Sequence, residues 1–549
     1  MSVHILSMYI ILLLQAYDTR SQVAYAPVNP ELIKYLENKK HSLQAGEADM
    51  CGIIPASALP HFHNRTSNTK NKNTGLPVKY DLREEGYVTP VRTQGNCGAC
   101  WMFTTMAAIE SNWLKNGYGE YDLSEQHLKN CHGFVRGGCE GGNHLFATAY
   151  LTGWSGPVNE TDDPYNVQDD TCDSSLTPAF YVPEARFLPG DADIIKQAIV
   201  DYGGLYTTMY FSTGYFHNQG KTYFYTGDEA VNHGVMLAGW DDEKSTPGGT
   251  GAWICKNSYG SGWGENGYFY ISYQDSKILS SNAFYPERIE NVNNIIVQQY
   301  DELGWVTNVG YNDEIAFALT RFTAGYNQKL TGVGTYAVGE NTTLDISVYY
   351  GKDGDEPVHL LGACEKYTCA MPGFYWIELP FPIKINCGES YYIRIKYKTP
   401  DYEYPIPLEG YLDDYADPVI ESGVCWISNG GLEWEPVGKG SGMENDICIK
   451  TLSVIDTVQN ITASGSITLF PNPFNRYLNI DFQGLSGNNI AITLVNEAGQ
   501  DAFIREYGST DIKYIEHLDL AALRKGVYFV KLTGDAEDIE INTKRLVKL

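Results

Sequence analysis

Apolar and polar residues follow three different rhythms along this chain. The first is an almost unbroken apolar run, Ile5-Leu6-Ser7-Met8-Tyr9-Ile10-Ile11-Leu12-Leu13-Leu14. It has signal-peptide length, has no amphipathic period, and falls short of the roughly 20 residues a membrane span needs. A leader over 1–21 is predicted, cut near Ser21–Gln22. Residues 22–75 are polar and read as irregular. They end in Asn64-Arg65-Thr66-Ser67-Asn68-Thr69-Lys70-Asn71-Lys72-Asn73-Thr74-Gly75, a basic, Asn-rich run that reads as an exposed linker suited to cleavage.

The second rhythm is helical. Met102, Phe103, Met106, Ile109, Trp113 and Leu114 fall mostly on one stripe, and Asn116-Gly117 is a stop signal. This predicts a helix that begins at Cys100. A further helix is expected over Asp193–Tyr202, then a strand over Leu205–Phe211. The third rhythm, beyond about residue 290, has period two. Leu344, Ile346, Val348 and Tyr350 alternate with Asp345, Ser347 and Tyr349, and Tyr391, Ile393, Ile395 and Tyr397 alternate with Tyr392, Arg394, Lys396 and Lys398. With turn signals between such runs, 289–455 reads as a β-sandwich. A short polar linker over 456–465 separates it from strands predicted around 477–483, 490–496 and 526–532.

Composition narrows the setting. At 549 residues the chain is too long for one core, and three to four domains are expected. The net charge of −28 argues against nucleic acid or an anionic membrane as partner. The 41 tyrosines and 55 glycines suit β-rich, loop-rich domains. Of the twelve cysteines, Cys97 and Cys100 form a Cys-x-x-Cys pair with no second such pair to match, so no zinc site is predicted. Cys255 sits in an apolar run and reads as inert core. The connectivity of Cys364, Cys369, Cys387, Cys425 and Cys448 is open.

The candidate chemistry lies in Gln94-Gly95-Asn96-Cys97-Gly98-Ala99-Cys100-Trp101, with Asn232-His233-Gly234 and Trp253-Ile254-Cys255-Lys256-Asn257-Ser258 far downstream. Together these offer a thiol, an imidazole and two amides. This constellation resembles the papain family of cysteine peptidases. The resemblance implies that Cys100 is the nucleophile, His233 its base, Asn257 the group orienting that base, and Gln94 an oxyanion donor. A helix N-terminus and a nearby imidazolium are both expected to lower the Cys100 pKa, giving a thiolate–imidazolium pair.

Leu123-Ser124-Glu125-Gln126-His127-Leu128-Lys129-Asn130-Cys131 and Gly138-Cys139-Glu140-Gly141-Gly142 extend the resemblance. They look like the family's second helix and substrate-cleft strand. Gly98, Gly141 and Gly142 are expected to line the cleft, where glycine lets substrate backbone approach closely. Asn143, His144 and Val231 are expected around the second residue upstream of the cut. The family usually has Trp directly after the Asn-Ser pair. Here Tyr259 takes that place and Trp263 keeps the later Trp-Gly, so less shielding of the His–Asn bond is expected. Family topology implies disulfides Cys97–Cys139 and Cys131–Cys172, hence an oxidising compartment. It implies no metal or organic cofactor.

The fold class implied is α+β. A papain-like two-lobed domain over 76–288, with a helical and a β-barrel lobe, is followed by two all-β sandwich-like domains. Residues 22–75 would be a short propeptide without the long helical pattern of plant and animal relatives. Residues 289–455 resemble the lectin-like domain of some bacterial papain-like enzymes, and could bind glycan or act as a spacer. Residues 466–549, with Phe470-Pro471-Asn472-Pro473, Gly526-Val527-Tyr528 and the basic end Lys544-Arg545-Leu546-Val547-Lys548-Leu549, resemble the type A sorting domain of the type IX secretion system of Bacteroidetes-type bacteria. The partners implied are a polypeptide substrate, the secretion machinery through 466–549 and, on the glycan-binding alternative, glycan through 289–455. Neither nucleic acid nor a transmembrane anchor is implied. A monomer, secreted or held on the outer cell surface, is expected. A non-catalytic adhesin on the same scaffold and an acyl transferase using the same acyl-enzyme remain open.

Overall fold

A computed structural model describes residues 22–42, 52–63, and 75–456 except 179, 291–293 and 355. It also describes 466–548 except 471, 473, 475, 484–489, 497–498, 508–514, 535–539 and 542–544. The leader over 1–21, most of the basic linker, the later linker from 457, and the two prolines of the Pro-Asn-Pro turn lie outside the described residues.

The helix that starts at the candidate nucleophile spans Cys100–Lys115 and is the axis of the first domain. Its stripe is buried as expected, but so is every other face from Cys100 to Trp113. Buried polar side chains need partners: Ser111 donates to the Tyr87 carbonyl at 2.6 Å and Asn112 to the Tyr202 carbonyl at 3.0 Å, while the indole N–H groups of Trp101 and Trp113 have none among the described residues. Helices Glu125–Cys131, His144–Thr152 and Ala192–Tyr202 pack nearby. Ser124, Asn143 and Asp191 cap them, each side-chain oxygen accepting from first-turn amides. Disulfides Cys97–Cys139 and Cys131–Cys172 close the helical lobe. The other lobe is a sheet of Leu205–Met209, His233–Thr246, Gly249–Lys256 and Tyr268–Ser272. The strand predicted to reach Phe211 stops at Met209.

That sheet does not end at the domain boundary. It runs through Asn282–Phe284 and Ala185–Leu188 directly onto Gly373–Ile385 of the second domain, then to Gln328–Ala337 and Ile449–Ile455. At the seam Phe374 pairs with Ala185 and Gly373 with Arg186. Glycine is required there, because a Cβ on Gly373 would come 2.1 Å from the Ala185 carbonyl oxygen. The Arg186 guanidinium lies 3.4 Å over the Tyr375 ring and donates to the Phe374 carbonyl. The second domain closes with a six-stranded sheet in which Leu344, Ile346 and Val348 pair with Tyr397, Ile395 and Ile393. All six are fully buried, whereas Tyr350, predicted on the same face, is exposed at the strand end. The C-terminal domain is two four-stranded sheets around Ile467, Leu469, Leu478, Ile480, Ile492 and Leu494. Its last strand is Arg545–Lys548.

The irregular reading of 22–75 fails over one stretch. Pro30–Ser42 is a helix, with Asn29 accepting from the Glu31 amide at 3.0 Å and Pro30 in the first turn. The same segment contributes Ala24–Tyr25, which pairs with Val309–Gly310 at the edge of a sheet of the second domain.

A buried ion pair ties the shared sheet to the start of the second domain. Lys450 Nζ lies 2.8 Å from Asp301 Oδ2, with both side chains fully buried, and donates to Gln299 at 2.6 Å. Removing one partner strands a buried charge. Lys450→Ala is therefore expected to cost about 3–5 kcal/mol, seen as a lower urea midpoint for loss of tryptophan fluorescence. An unchanged midpoint would remove this pair from the account of the seam.

Candidate active site

Cys100 occupies the first position of its helix, where unpaired amides collect. Ala99 before it supplies no side-chain cap. From the opposite lobe His233 opens the long central strand, and the next amide, Gly234 N–H, donates to Cys100 Sγ at 3.4 Å. His233 Nε2 and Asn257 Oδ1 are 2.8 Å apart. Asn257 Oδ1 is an acceptor, so Nε2 carries the proton and Nδ1 is left with a lone pair. That Nδ1 is buried and has no hydrogen-bond partner among the described residues. The Tyr259 ring stacks on His233 with centroids 5.1 Å apart, and Trp263 meets Tyr259 edge-on at 5.5 Å. Both aromatic rings thus lie at His233, and Phe211 adds a third 5.4 Å from it.

Gln94 is buried between the lobes. Its side-chain nitrogen donates to the Cys97 carbonyl at 2.7 Å, and its oxygen accepts from Ser258 Oγ at 2.6 Å. This leaves one N–H of the amide for another acceptor. Ser258 also bonds Asn257 Oδ1 through its own amide at 2.8 Å, so one residue steadies two candidate groups. Ser258 stood inside the motif the sequence offered, but no role was assigned to it there.

The glycines have two separate reasons. Gly141 has φ +98°, and a Cβ on Gly142 would come 2.5 Å from the Trp101 indole. Close approach of another backbone is also seen. Gly142 donates to the Gly52 carbonyl at 3.0 Å and accepts from the Ile54 amide at 2.9 Å. Gly98 lies under Gly52, where a Cβ on residue 52 would come 2.0 Å from the Gly98 oxygen. Residues 52–58 thus run through the groove between the lobes. Ile53 donates to the Asn232 carbonyl at 3.1 Å, and Asn143 Nδ2 donates to the Ile54 carbonyl at 3.1 Å. Val231, Ile53, Ile54 and Tyr206 belong to one buried cluster. His144 begins a helix, is buried against Phe187 and Tyr206, and is held neutral by burial with its pKa lowered to about 4.

The expected ion pair is not the state of this covered groove. Burial pushes the Cys100 thiol up to about 11, and the amides of Gly234 and Gly52 offset only part of that. Burial likewise pulls His233 down to about 4 against the opposing effect of Asn257. A helix terminus contributes about 0.3–1 kcal/mol in ordinary settings, less than the cost of dehydrating a thiolate.

Two participants carried little sequence signal. Gly52-Ile53-Ile54-Pro55-Ala56 is an apolar run inside a polar segment, and could have been singled out on that ground. Tyr415, from the second domain, accepts at its oxygen from Asn143 Nδ2 at 3.0 Å and from the Ser57 amide at 3.2 Å. Nothing in the sequence near 415 marks it. Among the described residues no three His, Cys, Asp or Glu side chains converge to hold a metal, and no helix is long and apolar enough to cross a membrane.

Residues 76–286 match the papain family cysteine protease domain, 297–453 the lectin like domain, and 468–548 the secretion system C-terminal sorting domain. The last of these marks a chain secreted in the manner of Bacteroidetes. Cathepsin 7 of Mus musculus is 32% identical over 252 residues, covering 43% of this chain and 73% of the mouse protein. The senescence-specific cysteine protease SAG12 of Arabidopsis thaliana is 34% identical over 220 residues, covering 37% of this chain and 58% of the plant protein. The fold of the first two domains is that of the cysteine protease and lectin-like domains of Cwp84, a surface layer associated protein of Clostridium difficile. That likeness has a TM-score of 0.67 at 23% identity, over 79% of this chain and 98% of the other. With a relative of more than 30% identity spanned over most of its length, the chain belongs to the papain family and is a papain-like cysteine peptidase.

Proposed function

We propose that Cys100, His233 and Asn257 form the catalytic triad of a secreted peptidase that cuts polypeptides through a thioester. His233 Nδ1 takes the Cys100 proton, and the thiolate attacks the scissile carbonyl. The backbone N–H of Cys100 and the remaining side-chain N–H of Gln94 bind the oxyanion that forms. Collapse of this intermediate expels the amine, which receives the proton from His233. Water, deprotonated by the same nitrogen, then attacks the thioester and frees the acid. The observation that carries this reading is the state of His233. One nitrogen is committed to Asn257, the other has no hydrogen-bond partner among the described residues, and the adjacent amide reaches Cys100 Sγ.

The leading segment acts on this reading as a brake. Gly52 lies against the nucleophile, and Gly52 and Ile54 between them use both hydrogen-bonding groups that Gly142 would offer a substrate, its N–H and its carbonyl respectively. Cleavage within 64–74 followed by departure of the segment would open the groove. Water entering beside Cys100 then lowers the cost of charge, and the thiolate–imidazolium pair becomes the favoured state. The C-terminal domain addresses the chain to the secretion machinery.

Cys100→Ala is expected to abolish peptide hydrolysis and fast labelling by an epoxysuccinyl probe. Equal labelling of that variant, seen by intact mass, would assign the reactive thiol elsewhere. Gln94→Ala is expected to lower kcat by about 10²–10³ with little change in KM. A loss confined to KM would take Gln94 out of the oxyanion site.

The pH behaviour follows from the thiol raised to about 11. Below that value the covered Cys100 is protonated, so iodoacetamide should label the intact chain slowly at pH 7, and faster as pH rises toward 11. After cleavage and removal of the segment, labelling should be fast already at neutral pH. Equal neutral-pH rates before and after removal would contradict the brake.

A further inference from the structure

Beyond the candidate active site the leading segment continues onto the second domain. After Ser57 meets Tyr415, the segment leaves the first domain and pairs with the lectin-like one. His61 N–H donates to the Val338 carbonyl at 2.8 Å, and the Glu340 N–H donates to the His61 carbonyl at 3.1 Å. The His61 ring stacks on Tyr402 with centroids 4.9 Å apart. Two residues on, the His63 amide donates to Glu340 Oε2 at 3.0 Å, and its ring nitrogens lie 3.0 Å from Glu340 and 3.6 Å from Asp401.

These contacts form one track from Cys100 to Asp401, passing from the first domain to the second. On the enzyme side they are mostly generic: backbone N–H and C=O of Gly142, Val338 and Glu340, an amide of Asn143 and a hydroxyl of Tyr415. Such groups bind any extended backbone, and an exposed strand edge accepts a chain of either polarity. The end of the track is selective, because Glu340 and Asp401 place two carboxylates beside one side-chain position. We infer that the lectin-like domain extends the substrate groove and holds the polypeptide upstream of the scissile bond, preferring a basic side chain opposite Glu340 and Asp401. The occupant is polypeptide, since a stretch of this chain already occupies the whole track. By the family resemblance the Gly142 side receives the upstream half of a substrate, so a substrate runs in the opposite direction to residues 52–63. The spacing of Gly52 and His61 in the bound segment means that about ten residues upstream of the cut are needed to reach the end.

This inference rests on the peptidase reading, and the test separates the two. The full chain is activated by cleavage within 64–74 and freed of its leading segment. Three fluorogenic substrates share the same two residues before the cut: a dipeptide amide, a peptide with ten further upstream residues carrying Arg at the outer three, and the same peptide with Glu at those three. The Arg peptide is expected to have a kcat/KM about tenfold above that of the Glu peptide, equivalent to about 1.4 kcal/mol. Glu340→Gln and the exposed Asp401→Asn should each shrink that ratio, and together bring it near one, while the dipeptide amide changes less than twofold. Equal rates for the two long peptides in the unsubstituted enzyme would overturn the inference and leave the peptidase reading intact. Failure to cleave even the dipeptide amide would overturn both. A reading independent of turnover uses the activated Cys100→Ala chain, to which the Arg peptide should bind about tenfold more tightly than the Glu peptide by fluorescence anisotropy. Equal binding would also overturn the inference.

Discussion

The protein is organised around how water reaches one sulfur atom. Cys100 sits at the positive end of a buried helix, beside an imidazole whose far nitrogen is tied to Asn257. That arrangement favours a thiolate only if solvent or a substrate carbonyl shares the space. With Gly52 laid across it, the pair is dry, and dehydration outweighs the helix end and the imidazole together. On the proposed reading, control of activity needs no movement of the catalytic groups. It needs only that a backbone be able to lie close enough to exclude water, and the absence of Cβ atoms at Gly52 and Gly98 permits that approach.

The second constraint is the sheet shared by the first two domains. Domain contacts that rely on side chains alone allow relative motion. Here backbone hydrogen bonds between Gly373–Phe374 and Ala185–Arg186 continue one ladder into the next domain, and a buried Lys450–Asp301 pair lies behind it. This fixes Tyr415, Val338 and Glu340 relative to Cys100. The lectin-like domain thereby lines the path of residues 57–63, and the leading segment is held at both of its described ends by that domain, through Ala24–Tyr25 and through His61–His63.

Different elements were legible in the sequence for different reasons. The Cys100–Lys115 helix showed through its stripe, although burial on all sides came from packing that no period encodes. The strands at 344–348 and 391–397 showed through strict alternation, which holds because one face of each is sealed by the opposing sheet. The Pro30–Ser42 helix was missed because its signal is local: a capping Asn29, a proline in the first turn and one buried leucine, Leu32, without a sustained apolar face.

The sequence by itself determined the candidate chemistry. Gln94, Cys100, His233 and Asn257 were recognisable because that chemistry demands particular residue types in a recurring order, and local motifs survive without knowledge of what lies around them. The tertiary structure alone decided the burial of these groups and the path of the leading segment beyond them. Both depend on atoms far away along the chain, Gly52 above the sulfur and Tyr415 and Glu340 across the seam. Solvent exclusion and hydrogen-bond register arise between segments, and no single stretch of sequence specifies them.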